Sequence, residues 1–198
     1  VSFDYKSLYP SIIRLLKMSP ESLIKGQDDN RFDTLKKILH REYETDSIRE
    51  KGHGVAGNGS VFDQSIDGVL PETMEFLMEE RDVVKSEMKD YKNYMEHILK
   101  YVEFVEGHIE SFEKDSNYVK SYARHESAFM TDEQIKELNL KEIPAIIAEI
   151  EDHISMLDAT QQALKILANS GYGAIGNIAF RYFRIDIAEA ITLTGQLA

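Results

Sequence analysis

The sequence predicts an α+β protein in which a long antiparallel helical hairpin is inserted between two segments of mixed strands and helices. Two apolar stripes predict the hairpin. From Pro71 to about Glu106, Met74, Leu77, Val84, Met88, Tyr91, Met95, Ile98 and Val102 recur at helical spacing. From about Ile143 to Tyr172, Ile146, Ile147, Ile150, Ile154, Leu157 and Leu164 do the same. At 1.5 Å per residue each rod is roughly 45 Å long, and packing the two against each other covers both stripes. The third observation is the short β-like runs on either side, bounded by glycine and proline.

Taken in order, Val1-Ser2-Phe3 reads as a strand ending at Asp4. Pro10 suits the first turn of a helix and pushes Tyr9 toward an extended conformation, with Ser11 to Leu16 continuing as helix. Met18-Ser19-Pro20-Glu21 marks a turn with a new helix starting at Ser19 or Pro20. Residues 26–60 are polar and carry Gly52-His53-Gly54 and Gly57-Asn58-Gly59 without the Gly-Lys-Ser/Thr ending of a phosphate loop, so turns are expected there. Ser60-Val61-Phe62-Asp63 reads as a short strand and Asp67-Gly68 as a turn. Between the long helices, residues 107–141 are polar. Beyond Gly173, residues 179–185 read as a strand, and Ala188 to Leu197 read as a helix.

Composition narrows the classes. Hydrophobic residues at 42% and charged residues at 29% suit a globular protein with a real core. No apolar run approaches the ~20 residues of a membrane span, so no membrane partner is expected, and the lack of cysteine fits a reducing, cytoplasmic setting. The absence of cysteine excludes disulfides and zinc-thiolate sites. A net charge of −12 argues against a uniformly basic nucleic-acid face but leaves room for a local basic or metal-filled cleft. A start inside a strand pattern and a stop inside a helical one lead us to expect a piece of a longer polypeptide.

The chemistry-bearing residues fall in three stretches: near Asp4, at Arg81 and Lys85, and between Lys165 and Gly173. Asp4 at a strand end, followed by a turn and a helix start, combines a carboxylate for a hard cation with free N–H groups for an anion, which suits a metal-bound phosphate. Arg81 and Lys85 lie about 40° apart on one helix, and Lys165, Asn169 and Tyr172 fall within about 60° of arc on another. Aligned by a hairpin, these cations would meet a triphosphate. Asn169-Ser170-Gly171-Tyr172-Gly173 carries two glycines where a helix end normally needs one, and these allow another surface to approach the backbone.

Ser7-Leu8-Tyr9-Pro10-Ser11 following Asp4 resembles motif A of the family B DNA polymerases, and Lys165 to Gly173 resembles their motif B. Gly68-Val69-Leu70-Pro71, with Arg81 and Lys85 after it, resembles the start of the fingers. Ser19-Pro20-Glu21 and Phe180-Arg181-Tyr182 are most similar to the replicative polymerases of large tailed bacteriophages. The resemblance covers the whole chain. It implies a partial palm with inserted fingers: residues 1–70 as palm with motif A, 71–173 as the fingers hairpin ending in motif B, and 174–198 as the return to the palm.

The resemblance also implies roles. Asp4 is expected to hold catalytic Mg2+ (two ions in the complete polymerase) with the Tyr5 carbonyl. Ser7 and Leu8 are expected to touch the triphosphate through their N–H groups. Tyr9 would lie under the incoming sugar and exclude a 2′-hydroxyl. Arg81, Lys85 and Lys165 would bind phosphates, with Lys165 also catalytic and Asn169 nearby, while Tyr172 and Gly173 would border the nascent base pair. The implied partners are primer-template DNA, dNTPs, the remainder of the polymerase (exonuclease, thumb, rest of the palm) and, as a candidate, a sliding clamp. Gly171 departs from the bulkier apolar residue common before Tyr172. The Asp-Thr-Asp triplet that carries the second metal-binding aspartate does not occur in this sequence, so the chain alone is expected to be inactive. The alternative is a polymerase-like nucleotide- or DNA-binding module without catalysis. A third reading is a helical-hairpin interaction protein.

Overall fold

The computed structural model describes residues 7–112, 124 and 129–197. The strand expected at Val1-Ser2-Phe3 lies outside them. The chain divides into two compact units, one formed by Val1–Glu80 with Ala163–Ala198 and the other by Arg81–Gln162.

In the first unit, helix α1 spans Leu8–Leu15 behind Ser7, whose backbone is left-handed at φ 55° and ψ 54°. Tyr9 is therefore helical, not extended. Pro10 occupies the third helical position, where its missing N–H would have had no acceptor in any case. The helix ends at Lys17, left-handed at φ 47°. There the N–H of Met18 reaches the carbonyl of Ile13 (2.9 Å) and that of Lys17 reaches Arg14 (3.2 Å), a Schellman closure.

No helix starts at Ser19 or Pro20. Ser19 and Ser22 are fully buried, and the Ser22 hydroxyl donates to the Ser19 carbonyl (3.1 Å), making a turn into strand β1, Leu23–Lys25. With β2 (His53–Val55) and β3 (Val61–Asp63) it forms an antiparallel sheet ordered β1-β3-β2, in which Gly54 pairs with Phe62.

Residues 26–60 are more structured than their polarity suggests. They contain helices α2 (Arg31–Leu39) and α3 (Asp46–Arg49) as well as β2. The organising residue is Asp28, which accepts hydrogen bonds from Lys25 Nζ (2.6 Å), Thr34 Oγ1 (3.0 Å) and Tyr43 Oη (3.0 Å). Burial pushes its carboxyl up, but the hydrogen bonds from Lys25, Thr34 and Tyr43 outweigh burial and hold its pKa below the ordinary 3.8. A depressed folded-state pKa contributes stability that is complete above the unfolded value and is lost as pH falls through the folded one. Asp28→Asn should therefore cost about 2 kcal/mol near pH 6 and progressively less below about pH 4. Urea denaturation of both chains at several pH values measures this, and a cost independent of pH would contradict it.

Residues 56–60, between β2 and β3, form a buried loop. Asn58 and Ser60 are fully buried. The Gly57 N–H donates to Thr194 Oγ1 (2.9 Å) and Asn58 Nδ2 to the Asp186 carbonyl (2.9 Å), so the loop grips helix α7, Ile185–Gly195, defined below.

Helix α4 spans Val69–Val105, α5 Asp132–Glu137 and α6 Ile143–Ile175. Thr131 and Gln134 make a reciprocal capping box at the start of α5. Contrary to expectation, α6 does not end at Tyr172 but carries Gly171 and Gly173 inside it. Residues 179–185 form no strand. Phe180 N–H reaches the Asn177 carbonyl (2.9 Å) and Phe183 N–H reaches Phe180 (3.0 Å), after which Arg184 N–H returns to Ile175 (3.2 Å). Local turns satisfy these backbone groups, and α7 follows. The core of the first unit joins Ile12, Ile13, Phe62, Met74, Ile175, Ile187 and Ile191.

In the second unit α4 and α6 run in opposite directions. Arg81 Nε donates to Gln161 Oε1 (3.2 Å), while further along α4 the Tyr91 ring lies 4.2 Å from that of His153. The core combines Tyr94, Ile98, Tyr101, Phe129, Ile135, Ile143 and Ile150. No helix among the described residues is long and apolar enough to cross a membrane.

Candidate active site

Asp4 and Tyr5 lie outside the described residues. Their donor set, a carboxylate and a backbone carbonyl, is hard oxygen, which is the kind that Mg2+ takes. Among the described residues no group of His, Asp or Glu could hold a metal ion.

Ser7, Leu8 and Tyr9 form the start of α1. The left-handed Ser7 turns the chain sharply into the helix, and its carbonyl accepts the N–H of Ser11 (3.0 Å). A helix gives its first N–H groups no internal acceptor, so this corner concentrates partial positive charge. All three residues are half-buried.

The structure brings the two motif segments together through their aromatic residues. The Tyr9 and Tyr172 rings stack with centroids 4.6 Å apart and planes 24° apart. The Tyr172 hydroxyl lies 2.8 Å from Thr192 Oγ1 on α7. On α6, Lys165 and Asn169 are exposed, one turn apart on one face, and Gly173 is exposed one residue after Tyr172. Arg81 and Lys85 belong to the second unit, where Arg81 is half-buried against Gln161 and Lys85 is exposed.

Gly171 is explained by its neighbour. A Cβ there would lie 2.7 Å from Met74 Cε, so the end of the Met74 side chain occupies the space that a larger residue at 171 would take. The turn from α6 to α7 carries Arg184, which donates to both carboxylate oxygens of Asp186 (3.0 and 2.7 Å). That guanidinium holds the Asp186 carboxyl below its ordinary range and fastens the first turn of α7. Sequence reasoning did not find Thr192, which belongs to no motif and which only the packing of α7 brings beside Tyr172.

A protein-family model described as "DNA polymerase family B" matches residues 1–101 and 109–198. The chain is 32% identical over 202 residues to the "DNA-directed DNA polymerase" of Enterobacteria phage T4, and 30% identical over 203 residues to that of Escherichia phage RB69. Each match covers 100% of this chain and 21% of the relative, so the chain spans about a fifth of their length. "DNA polymerase 1" of Pyrococcus abyssi is 24% identical over 196 residues, covering 99% of the chain and 15% of the relative. With both motif segments inside the matched residues, the chain belongs to the family B DNA polymerases.

Proposed function

We propose that this chain is the motif A to motif B portion of a DNA-directed DNA polymerase that adds dNTPs to a primer 3′ end. Residues 1–70 and 174–198 are palm and residues 71–173 are fingers. The observation that carries the reading is the Tyr9–Tyr172 stack, which joins two segments far apart in sequence at the corner where α1 begins. Ser7 and Leu8 offer N–H groups to the triphosphate, and Lys165, Arg81 and Lys85 supply its counter-charge with Asn169 beside them. Tyr9 closes the floor under the sugar, and Tyr172 and Gly173 border the base pair.

Asp4 and the Tyr5 carbonyl are the residues that would hold Mg2+, together with an aspartate from a motif this sequence lacks. Two such ions, when bound, supply activation of the primer hydroxyl and neutralisation of the leaving pyrophosphate. The 198-residue chain is thus one part of a machine completed by exonuclease, thumb and the rest of the palm, and alone it does not extend a primer. Primer-template DNA, and a sliding clamp where the parent uses one, are the partners.

The testing experiment removes the sugar-pocket floor. In the intact polymerase Tyr9→Ala should raise kcat/KM for rNTPs relative to dNTPs at least about tenfold, a change of about 1.4 kcal/mol in discrimination by steric exclusion. Steady-state single-nucleotide insertion measures it. An unchanged ratio would make Tyr9 an aromatic residue that packs under a turn and nothing more.

A further inference from the structure

Along the part of α4 that lies in the second unit, four cations gather on one side. At about 100° per residue, and with Arg81 as the origin, Lys92 points about 20° away, Lys85 about 40° and Lys89 about 80°. At 1.5 Å per residue the strip from Arg81 to Lys92 is roughly 16 Å long. Arg81 is half-buried, whereas Lys85, Lys89 and Lys92 are exposed. The rest of the unit has the opposite sign, since residues 81–162 carry 18 Asp and Glu against 10 Lys and Arg.

Helix stability does not account for the strip. Arg81 and Lys85 are four apart, as are Lys85 and Lys89, and Lys92 follows three residues later. These are the spacings at which like charges destabilise a helix. Among the described residues no ion pair engages Lys85, Lys89 or Lys92. The acid one turn beyond Lys92 is Glu96, and it is met by Lys100 (3.7 Å). Glu96 and Glu151 line the surface groove beside Lys92, so the positive strip ends there. A row of exposed like charges, bounded by acids and kept against the helix's own interest, attracts an anion whose charges are also in a row. A triphosphate is such an anion.

We propose that Lys89 and Lys92 form an outer capture position for the triphosphate of the incoming nucleotide, from which it passes along α4 to Lys85 and Arg81. This rests on the polymerase reading above, in which Arg81 and Lys85 meet the phosphates; Lys89 and Lys92 belong to none of the motif segments. An ammonium on a flexible stem suits a position that is entered and left, because it holds phosphate as a point charge without fixing its orientation. Capture acts before the chemical step, so it speeds nucleotide entry and leaves the rate at saturation alone. It also weakens with salt, because exposed charges are screened over a Debye length that shrinks from about 30 Å at 0.01 M to about 3 Å at 1 M.

The test uses the intact polymerase on a primer-template with a fluorescent template base and a chain-terminated primer. Stopped-flow mixing with dNTP-Mg2+ gives the association rate constant, and rapid quench on an extendable primer gives the insertion rate at saturating dNTP. The double variant Lys89→Gln/Lys92→Gln should lower the association rate constant at least about threefold at low ionic strength, and by less at high ionic strength. Its saturating insertion rate should match that of wild type. Lys92→Arg should keep wild-type association, since the charge remains, and so should Lys100→Gln, whose ammonium is already paired with Glu96. A loss below threefold at low ionic strength overturns the proposal. So does a loss that persists undiminished in high salt, which marks a packing role, or weaker primer-template binding with dNTP association unchanged, which assigns the strip to the DNA backbone. If the wild-type enzyme inserts no dNTP on a template, the polymerase reading itself falls. If it does and the double variant takes up dNTP as fast, only the capture position falls.

Discussion

Lys165→Ala in the intact polymerase should lower kcat, or the single-turnover rate, by a hundredfold or more with the fold retained. Lys165 is exposed on α6 and shares its face with Asn169. Its ammonium is therefore available to a triphosphate and is not consumed in the core. A cation that meets charge developing as the bond to pyrophosphate breaks acts mainly in the transition state. Removing one preorganised group of that kind typically costs about 10²–10³ in rate, or roughly 3–4 kcal/mol. A solvated helix lysine would cost at most about 0.5 kcal/mol of stability and leave the rate alone. The two roles are separated by about two decades, so a loss below threefold in rapid-quench kinetics would remove Lys165 from the site.

The second large effect is on stability. Gly57→Ala should destabilise the chain by about 3 kcal/mol, the upper end of overpacking costs. The added Cβ would lie 2.7 Å from the carbonyl carbon of Leu193 and 2.8 Å from its oxygen and from Thr194 N. These are backbone atoms of α7 and cannot rotate aside. Separating loop from helix to relieve the clash also breaks the Gly57 N–H bond to Thr194 and strains that of Asn58 to Asp186. Against a typical stability of about 5–15 kcal/mol this is a large fraction. Urea denaturation checks it, and a loss under about 1 kcal/mol would show that loop and helix are not in such close contact.

The two long helices were legible because apolar residues at helical spacing have few other solutions. Their buried face was legible only in part. Tyr94, His97 and Tyr101 on α4 are almost fully buried, whereas Val84, Met88 and Met95 are only half-buried. Polar residues can take the interior because residues after α4 supply partners. Tyr101 Oη donates to the Lys136 carbonyl (2.9 Å), Tyr94 Oη accepts from Met130 N–H (3.0 Å), and His97 meets Asp132 (3.2 Å). No stripe on one helix announces a partner on another segment. The same holds for residues 179–185, which read as a strand from the sequence but find no neighbouring strand among the described residues. It holds again for residues 26–60, where Asp28 does the organising that apolar residues do elsewhere. At the site, the order of the motifs was legible. That Tyr9 and Tyr172 meet, and that α7 stands behind them, depends on packing.

Met74 and Gly171 are a single volume divided between two positions. The methionine tip fills the place of the side chain that glycine lacks. An alanine at 171 meets only that flexible tip, which can give way, but a leucine there overfills the space unless position 74 shrinks. Shrinking 74 first leaves a void in a core where Met74 is almost fully buried. Neither order of single changes is free, so the residue tolerated at one position depends on the residue at the other.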